Sequence, residues 1–312
     1  MAQSAPPATP YPSGITVIIP AYNYAHYLPQ AIDSVLDQKH PCCEILIVDD
    51  GSTDNTAAVV AAYGKRVRYL HQTNAGLPAA RNTGIRHASH GQVCFLDADD
   101  LLLPGHLCAA QETLAALPEN FVLVAFPAQY LDAAGTPLAL KQIASTGHEI
   151  SERDIILKTR FQPSGVVVRR DVFAIAGEFD ETLRSAEDRD MWLRIAACGK
   201  IHLHAKRLVG IRRHPVSMSR NSDRMKANTR RVIVKAWHAR RVAHSEIGFW
   251  LRVHSFRLYQ AAWMYHEEVR RAAAIRDLIF SLILWPWFPQ PRELNEPPLF
   301  RLRSLRRFLL RR

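Results

Sequence analysis

Cysteine is scarce, with five thiols among 312 residues, and their positions build no framework. Cys42 and Cys43 are adjacent, while Cys94, Cys108 and Cys198 are scattered without the close pairs that zinc sites or disulfide scaffolds need. Cys94 lies in an apolar run and reads as a buried free thiol, which fits a reducing cytosol. Neither G-x-x-x-x-G-K-[ST] nor G-x-G-x-x-G occurs, which argues against P-loop and dinucleotide-binding enzymes. No apolar run reaches the roughly 18 residues that a spanning helix needs. The opening MAQSAPPATPYPSG lacks the basic-then-apolar pattern of a signal peptide, so residues 1–13 are expected to be a disordered lead-in. No internal repeat is present. Excess charge is also missing from the first two thirds. Residues 1–220 carry 21 Lys/Arg against 22 Asp/Glu, whereas residues 221–312 carry 19 against 7, so the formal +11 belongs to the last third.

What is present is an alternation of short apolar runs with helical spacing. Strands are expected over 15–20, 44–48, 66–70 and 92–96, separated by helices over 28–38, 53–63 and 77–87. Continuous apolar strands alternating with helices of about ten residues indicate βαβ units and a parallel sheet. Right-handed crossovers then place the strand C-termini on one edge, where such sheets bind ligands. From residue 104 the pattern changes. A helix over 104–117 opens with Pro104, a strand over 121–131, a turn at 132–135 and a second short strand are expected to form a hairpin, and strands follow over 165–169 and 201–209. A short helix runs through 175 and another covers 187–198, so antiparallel members should complete the sheet. Beyond 221 only helices are expected, over 225–244, 249–268 and 269–284, before WPWFPQP breaks the chain. The organisation read from this is a lead-in (1–13), an α/β catalytic domain (14–220) and a basic helical extension (221–312).

Three acidic groups follow strands or open a helix. Asp49 and Asp50 precede a Gly-Ser turn, and they read equally as turn or cap residues. Asp97, Asp99 and Asp100 crowd the end of the fourth strand, a costly arrangement unless a cation neutralises it. A hard divalent ion suits such oxygen ligands and commonly bridges them to substrate phosphates. Glu187 and Asp188 open a helix, where the macrodipole alone would favour them.

The blocks VIIPAYN (17–23), SVLDQ (34–38), EILIVDDGSTDNT (44–56), AGLPAARNTGI (75–85) and FLDADD (95–100) appear in order. PSGVVVRRDVF (163–173), GEFDETL (177–183), EDRDMWLRIA (187–196) and RRHPVSMS (212–219) follow. Together they closely resemble the family-2 inverting glycosyltransferases of the GT-A fold, over about residues 14–220. The resemblance implies an α/β fold, a Rossmann-like mixed sheet flanked by helices, here with a helical C-terminal extension. It implies that Pro20 and Tyr22 line a nucleoside pocket, that Asp50 hydrogen-bonds the base (typically uracil) and that Arg81 approaches the nucleotide. Asp97 and Asp99 would be the DXD motif, touching ribose and a Mn²⁺ or Mg²⁺ on the diphosphate, with Asp100 sharing metal duty. Asp188, in the Glu187-Asp188 pair, would be the general base. His214 would contact the diphosphate or the metal, against the alternative of a solvent-facing loop histidine. Ile211, where an aromatic residue is commoner, and Gly177-Glu178, in place of a paired glycine, depart from the usual pattern on the acceptor side.

The expected activity is metal-dependent transfer of a single sugar from a nucleotide-diphosphate donor, UDP-linked by preference, to an acceptor hydroxyl. No Q-x-x-R-W block of processive synthases is present. In the tail, Arg301, Arg303, Arg306, Arg307, Arg311 and Arg312 alternate with Leu and Phe, and LIFSLILWPWFP (278–289) carries two tryptophans. Such a segment lies naturally on an anionic membrane surface, and its alternative is packing on the catalytic domain with a solvated arginine face. Membrane contact would place the enzyme peripherally on the inner face of the cell membrane, with a lipid-linked glycan of cell-envelope synthesis as acceptor. A non-catalytic nucleotide-sugar-binding protein is the competing class, and the acidic sheet edge argues against nucleic acid as a partner.

Overall fold

A computed structural model of the chain describes residues 11–41, 43–139, 147–214, 221–286 and 299–310. Cys42, most of the lead-in, the end of the RRHPVSMS block, Trp287 and the two terminal arginines lie outside the described residues. The coordinates form two compact units. One comprises Met1–Ile150, Phe161–Thr182 and Arg194–His214, the other Ser151–Arg160, Leu183–Leu193 and Pro215–Arg312.

The first unit is built on β1 (Ile15–Ala21), β2 (Cys43–Asp49), β3 (Arg68–His71) and β4 (Gln92–Phe95), all parallel. Between them run α1 (Leu28–Leu36), α2 (Thr56–Ala61) and α3 (Leu77–His87). Every residue of β1 is buried, as a strand covered on both faces requires. Gly84 lets α3 lie directly on β1, since a Cβ there would come within 2.3 Å of Ile18 Cγ2. Helix α2 starts at Thr56, later than the spacing predicts, because Asp54 is spent on the turn. Its Oδ1 accepts from the Thr56 N–H (3.0 Å) and its Oδ2 from the Ala25 N–H (3.0 Å).

The second half of the sheet is mixed, as expected, but two elements differ. Residues 121–131 divide at Phe126-Pro127 into β6 (Phe121–Ala125) and β7 (Ala128–Leu131), which join different sheets. Proline offers no ladder N–H, so the strand breaks there. The expected hairpin shrinks to a single bridge between Leu131 and Pro137. Likewise 201–209 separates into β10 (Lys200–Leu203) and β11 (Val209–Arg212). With β5 (Leu101–Leu102), β8 (His148–Ile150) and β9 (Val167–Arg169), the strands make an eight-stranded sheet, β3-β2-β1-β4-β9-β6-β10-β8, and a small sheet β5-β11-β7. Strand β9 is antiparallel to both neighbours. Helix α4 (His106–Ala116) opens after Gly105 rather than at Pro104, and α6 (Val172–Ala176) follows β9.

The second unit contains α5 (Glu152–Leu157), the first part of α7 (Glu187–Ala196), α8 (Ser222–His238), α9 (Ile247–Glu267), α10 (Arg271–Leu284) and α11 (Phe300–Leu310). Asn221 caps α8 by accepting from the Arg224 N–H (2.9 Å), so this helix begins before residue 225. Helix α11 corrects the picture of an outward-facing basic tail. Arg301 is buried, and its guanidinium donates to the carbonyls of Ser281 (3.1 Å) and Trp285 (2.6 Å) and to Ser255 Oγ (2.9 Å). It therefore adds a charged donor to carbonyls at the end of α10, a role a cation performs well at a helix C-terminus. Phe300, Ser304 and Phe308 are buried with it, while Arg303, Arg306 and Arg307 remain exposed. Among the described residues, no helix is long and apolar enough to cross a membrane.

Candidate active site

The end of β2 presents Asp49 and Asp50, which divide their work. Asp49 accepts from the Ser52 N–H (2.8 Å) and from the Tyr69 hydroxyl (2.5 Å), so it is a turn residue. Asp50 Oδ1 accepts from Gln72 Nε2 (2.7 Å) and the Ala75 N–H (2.9 Å), and its Oδ2 from the Gly76 N–H (2.8 Å). An ionised carboxylate has about four acceptor positions, so Asp50 keeps capacity for one further donor. Gly51 makes this approach possible. Its φ is +74°, and a Cβ would sit 2.8 Å from the Asn74 nitrogen.

The neighbouring turn after β1 is locked to this one. Asn23, at φ 57°, accepts through Oδ1 from the Thr53 N–H (2.7 Å), and its own N–H donates to Ser52 Oγ (3.0 Å). Asn tolerates the left-handed region better than most residues. Pro20 is buried in β1 opposite Val48, whereas the Tyr22 ring is exposed beside the locked turn.

At the end of β4 the three aspartates diverge. Asp97 and Asp99 keep 27% and 20% of their side-chain surface exposed, while Asp100 is buried. Arg81, 1% exposed on α3, donates to Asp97 Oδ1 (2.7 Å) and lies over the Phe179 ring at 5.5 Å. Asp99 Oδ2 lies 2.8 Å from His214 Nε2. Asp100 Oδ2 accepts from Ser164 Oγ (2.5 Å) and its Oδ1 from the Arg212 N–H (2.9 Å), so this carboxylate faces the protein. His214 is buried against the Tyr27 ring (5.2 Å), not displayed to solvent.

The electrostatics follow from this crowding. Burial raises the Asp99 carboxyl, the adjacent Asp97 raises it further, and His214 opposes both. Asp100 is raised well above the usual carboxylate range by burial first, then by Asp99 and Asp97. Tyr24 is pushed up to about 12 by burial and by the same aspartates. Bringing a divalent cation to such a negative edge would offset these costs. Among the described residues, no group of three or more His, Cys, Asp and Glu side chains forms a metal cage. A hard ion held by one or two carboxylates plus substrate phosphates would not need such a cage.

Sequence reasoning missed the residue that organises this edge. Arg212 donates from Nε to the Asp99 carbonyl (2.8 Å), from one terminal nitrogen to Ala133 O (2.8 Å) and from the other to Gln30 Oε1 (2.6 Å). Its position two residues before His214 was the available signal.

Glu187 and Asp188 belong to the other unit, in the first turn of α7. Glu187 is buried and Asp188 half-buried, directly after Ala186 at φ 59°, a conformation that costs a non-glycine residue about 1–2 kcal/mol. The turn is well anchored. Buried Arg189 donates to the Ile155 (2.9 Å) and Ile156 (2.5 Å) carbonyls in the last turn of α5, and burial lowers its guanidinium to about 10. Asp190 pairs with Lys235 of α8 at 2.5 Å, and the Trp192 side chain is core.

The model of Glycosyl transferase family 2 matches residues 16–174. A Rickettsia felis protein described as an uncharacterized glycosyltransferase is 30% identical over 206 residues, covering 64% of this chain and 34% of that protein. A Nostoc sp. protein of the same description is 38% identical over 169 residues, 51% of each chain. The matched part thus spans between about a third and half the length of these two relatives. Among solved structures, residues 1–349 of S. aureus TarS in complex with UDP-GlcNAc superpose with a TM-score of 0.58 at 18% identity, covering 89% of this chain and 93% of that one. The fold is accordingly the GT-A fold, a mixed sheet flanked by helices and followed by a helical region. With the family model covering half of the chain, the protein belongs to glycosyl transferase family 2.

Proposed function

We propose that the protein is an inverting, metal-dependent glycosyltransferase that moves one sugar from a UDP-linked donor to an acceptor hydroxyl. The observation that carries this reading is the pair of contacts Arg81–Asp97 and Asp99–His214 on the sheet edge that also bears Asp50. The donor class is supported by the UDP-GlcNAc bound to TarS, which has the same fold.

Asp50 receives the base N–H with its remaining acceptor position, while Pro20 and Tyr22 flank the nucleoside. Arg81 holds Asp97 toward the ribose, a fixed geometry that a planar guanidinium maintains better than an ammonium. Asp99 and Asp97 are the carboxylates that would hold Mn²⁺ or Mg²⁺. When bound, such an ion stabilises the charge developing on the departing diphosphate. Asp100 shapes this edge through Ser164 and Arg212, and His214 orients Asp99. Asp188 takes the proton of the acceptor hydroxyl as it attacks the anomeric carbon in line, so an α-linked donor yields a β-linked product. Glu187 lies buried in the same turn of α7.

The acceptor we propose is a lipid-linked glycan met at an anionic membrane surface, a reading motivated by the basic helical region. The deciding experiment incubates the full chain with UDP-, dTDP- and GDP-sugars, with and without Mn²⁺ or Mg²⁺, and follows released nucleoside diphosphate. Metal-dependent release from one donor, lost in Asp99→Ala, is the expected result. Failure of every donor to bind in the presence of metal would sink the reading.

A further inference from the structure

In the helical unit, α10 presents an uncovered apolar face, and Leu302 and Leu309 of α11 are exposed as well. Ile279, Phe280 and Ile283 of α10 are 43%, 51% and 67% exposed. They stand three, four and seven residues after Arg276, so the four form one stripe along the helix. The opposite face, Ala274, Asp277, Leu278 and Ser281, is buried. Helix α11 lies antiparallel to α10, because Arg301 at its start reaches Trp285 O and Phe308 O near its end accepts from Arg271 (3.0 Å). Packing against α11 nevertheless leaves the stripe open.

The charge of this region, 19 Lys/Arg against 7 Asp/Glu over residues 221–312, selects what covers the stripe. Arg276, within the stripe, keeps 55% of its side-chain surface exposed. Arg303 and Arg306 are exposed on α11. The adjacent carboxylate, Asp277, is turned inward and neutralised by Lys226 and Arg276. A second copy of the chain would bring like charge against like charge. A surface combining negative charge with an apolar interior suits both halves of the pattern.

We propose that α10 is a membrane-contact helix, seating Ile279, Phe280 and Ile283 in the interface of an anionic bilayer while Arg276, Arg303 and Arg306 meet lipid phosphates. This rests on the membrane-surface reading above but not on the donor chemistry. It narrows the apolar part of the contact to three residues of α10, since Arg301, Phe300 and Phe308 of the basic tail are spent on internal packing.

The test is flotation of the full chain with phosphatidylcholine vesicles, with and without phosphatidylglycerol. The variant Ile279→Gln/Phe280→Ser/Ile283→Gln is compared with Arg303→Gln/Arg306→Gln, and circular dichroism, light scattering and donor hydrolysis are measured in parallel. The expected result is flotation of the wild type on anionic vesicles only, and a loss of roughly tenfold or more in the apolar variant, with helix content and hydrolysis kept. Equal flotation of the apolar variant and the wild type would overturn the assignment of α10 while leaving membrane binding in place. A dimer of the wild type that the apolar variant dissolves would overturn it in favour of self-association. No flotation of the wild type on either vesicle would overturn the membrane reading as well, and donor hydrolysis would report independently on the enzyme.

Discussion

His214 Nε2 and Asp99 Oδ2 are 2.8 Å apart, and Arg212, two residues before that histidine, holds the carbonyl of the same aspartate. The last residue of β11 and the segment after it thus fix both the backbone and the side chain of Asp99. An imidazole that orients a ligating carboxylate tunes it without touching the substrate.

Replacing His214 by Ala is expected to lower donor turnover by about 10–100-fold and to raise the Mn²⁺ concentration needed for half-maximal rate. Metal titrations of activity check this. An unchanged metal requirement would remove His214 from the site.

Asp188→Asn is expected to cut sugar transfer by roughly 10²–10⁴-fold, the usual contribution of a general base, while the donor KM stays unchanged. Asp99→Ala should instead raise the donor KM. If the two variants showed the same split between kcat and KM, the separate roles given to the two aspartates would be wrong.

Burial lowers the His106 imidazole from 6.5 to about 3, and its Nδ1 donates to the Leu208 carbonyl at 3.1 Å. Above pH 6.5 both folded and unfolded chains keep this group neutral, so it contributes no pH dependence there. As the pH falls from 6.5 toward 3, the unfolded chain binds a proton that the folded one refuses, and stability is lost by up to about 1.4 kcal/mol per pH unit. Denaturation curves across this range should show a shallower acid slope in His106→Leu than in the wild type. Identical slopes would assign the acid loss to other groups.

Gly84→Ala places a methyl group against Ile18 where no space exists, and should destabilise the first unit by about 1–3 kcal/mol. Urea titration provides the measurement. A neutral effect would mean that α3 can lift from β1 at no cost.

Arg301→Ala and Arg303→Ala test the two faces of α11 against each other. Losing Arg301 takes the donor from the Trp285 carbonyl and removes a buried side chain, and should cost about 1–3 kcal/mol, while the Ser281 carbonyl keeps the Ser255 hydroxyl. The Arg303 change should stay within about 0.5 kcal/mol, as surface substitutions do. Equal thermal shifts in the two variants would contradict the buried role of Arg301.

The parallel half of the sheet was legible because its signals are local. Apolar runs such as ITVIIP bury both faces, and α3 spans Leu77–His87 as the spacing predicts. The mixed half was less legible. The change of sheet between β6 and β7, and again between β10 and β11, depends on which edge is free to pair, a property of distant segments.

Within the site, chemistry-bearing residues could be picked out from their types and spacing, but their contacts could not. Asp97, Asp99 and Asp100 look alike along the chain, yet one meets Arg81, one meets His214 and one is buried on Ser164 and Arg212. Those partners lie 16 to 115 residues away in sequence. The tail shows the same limit, since six arginines read as one basic face until packing turns Arg301 inward. The order of the motif blocks carried the resemblance to the family, and periodicity and residue type set the strands and the candidate carboxylates, because each is encoded over a few neighbouring positions. Which carboxylate faces ligand, which arginine caps a helix and which apolar stripe stays open follow from burial, and burial is decided by segments that meet only when the chain is folded.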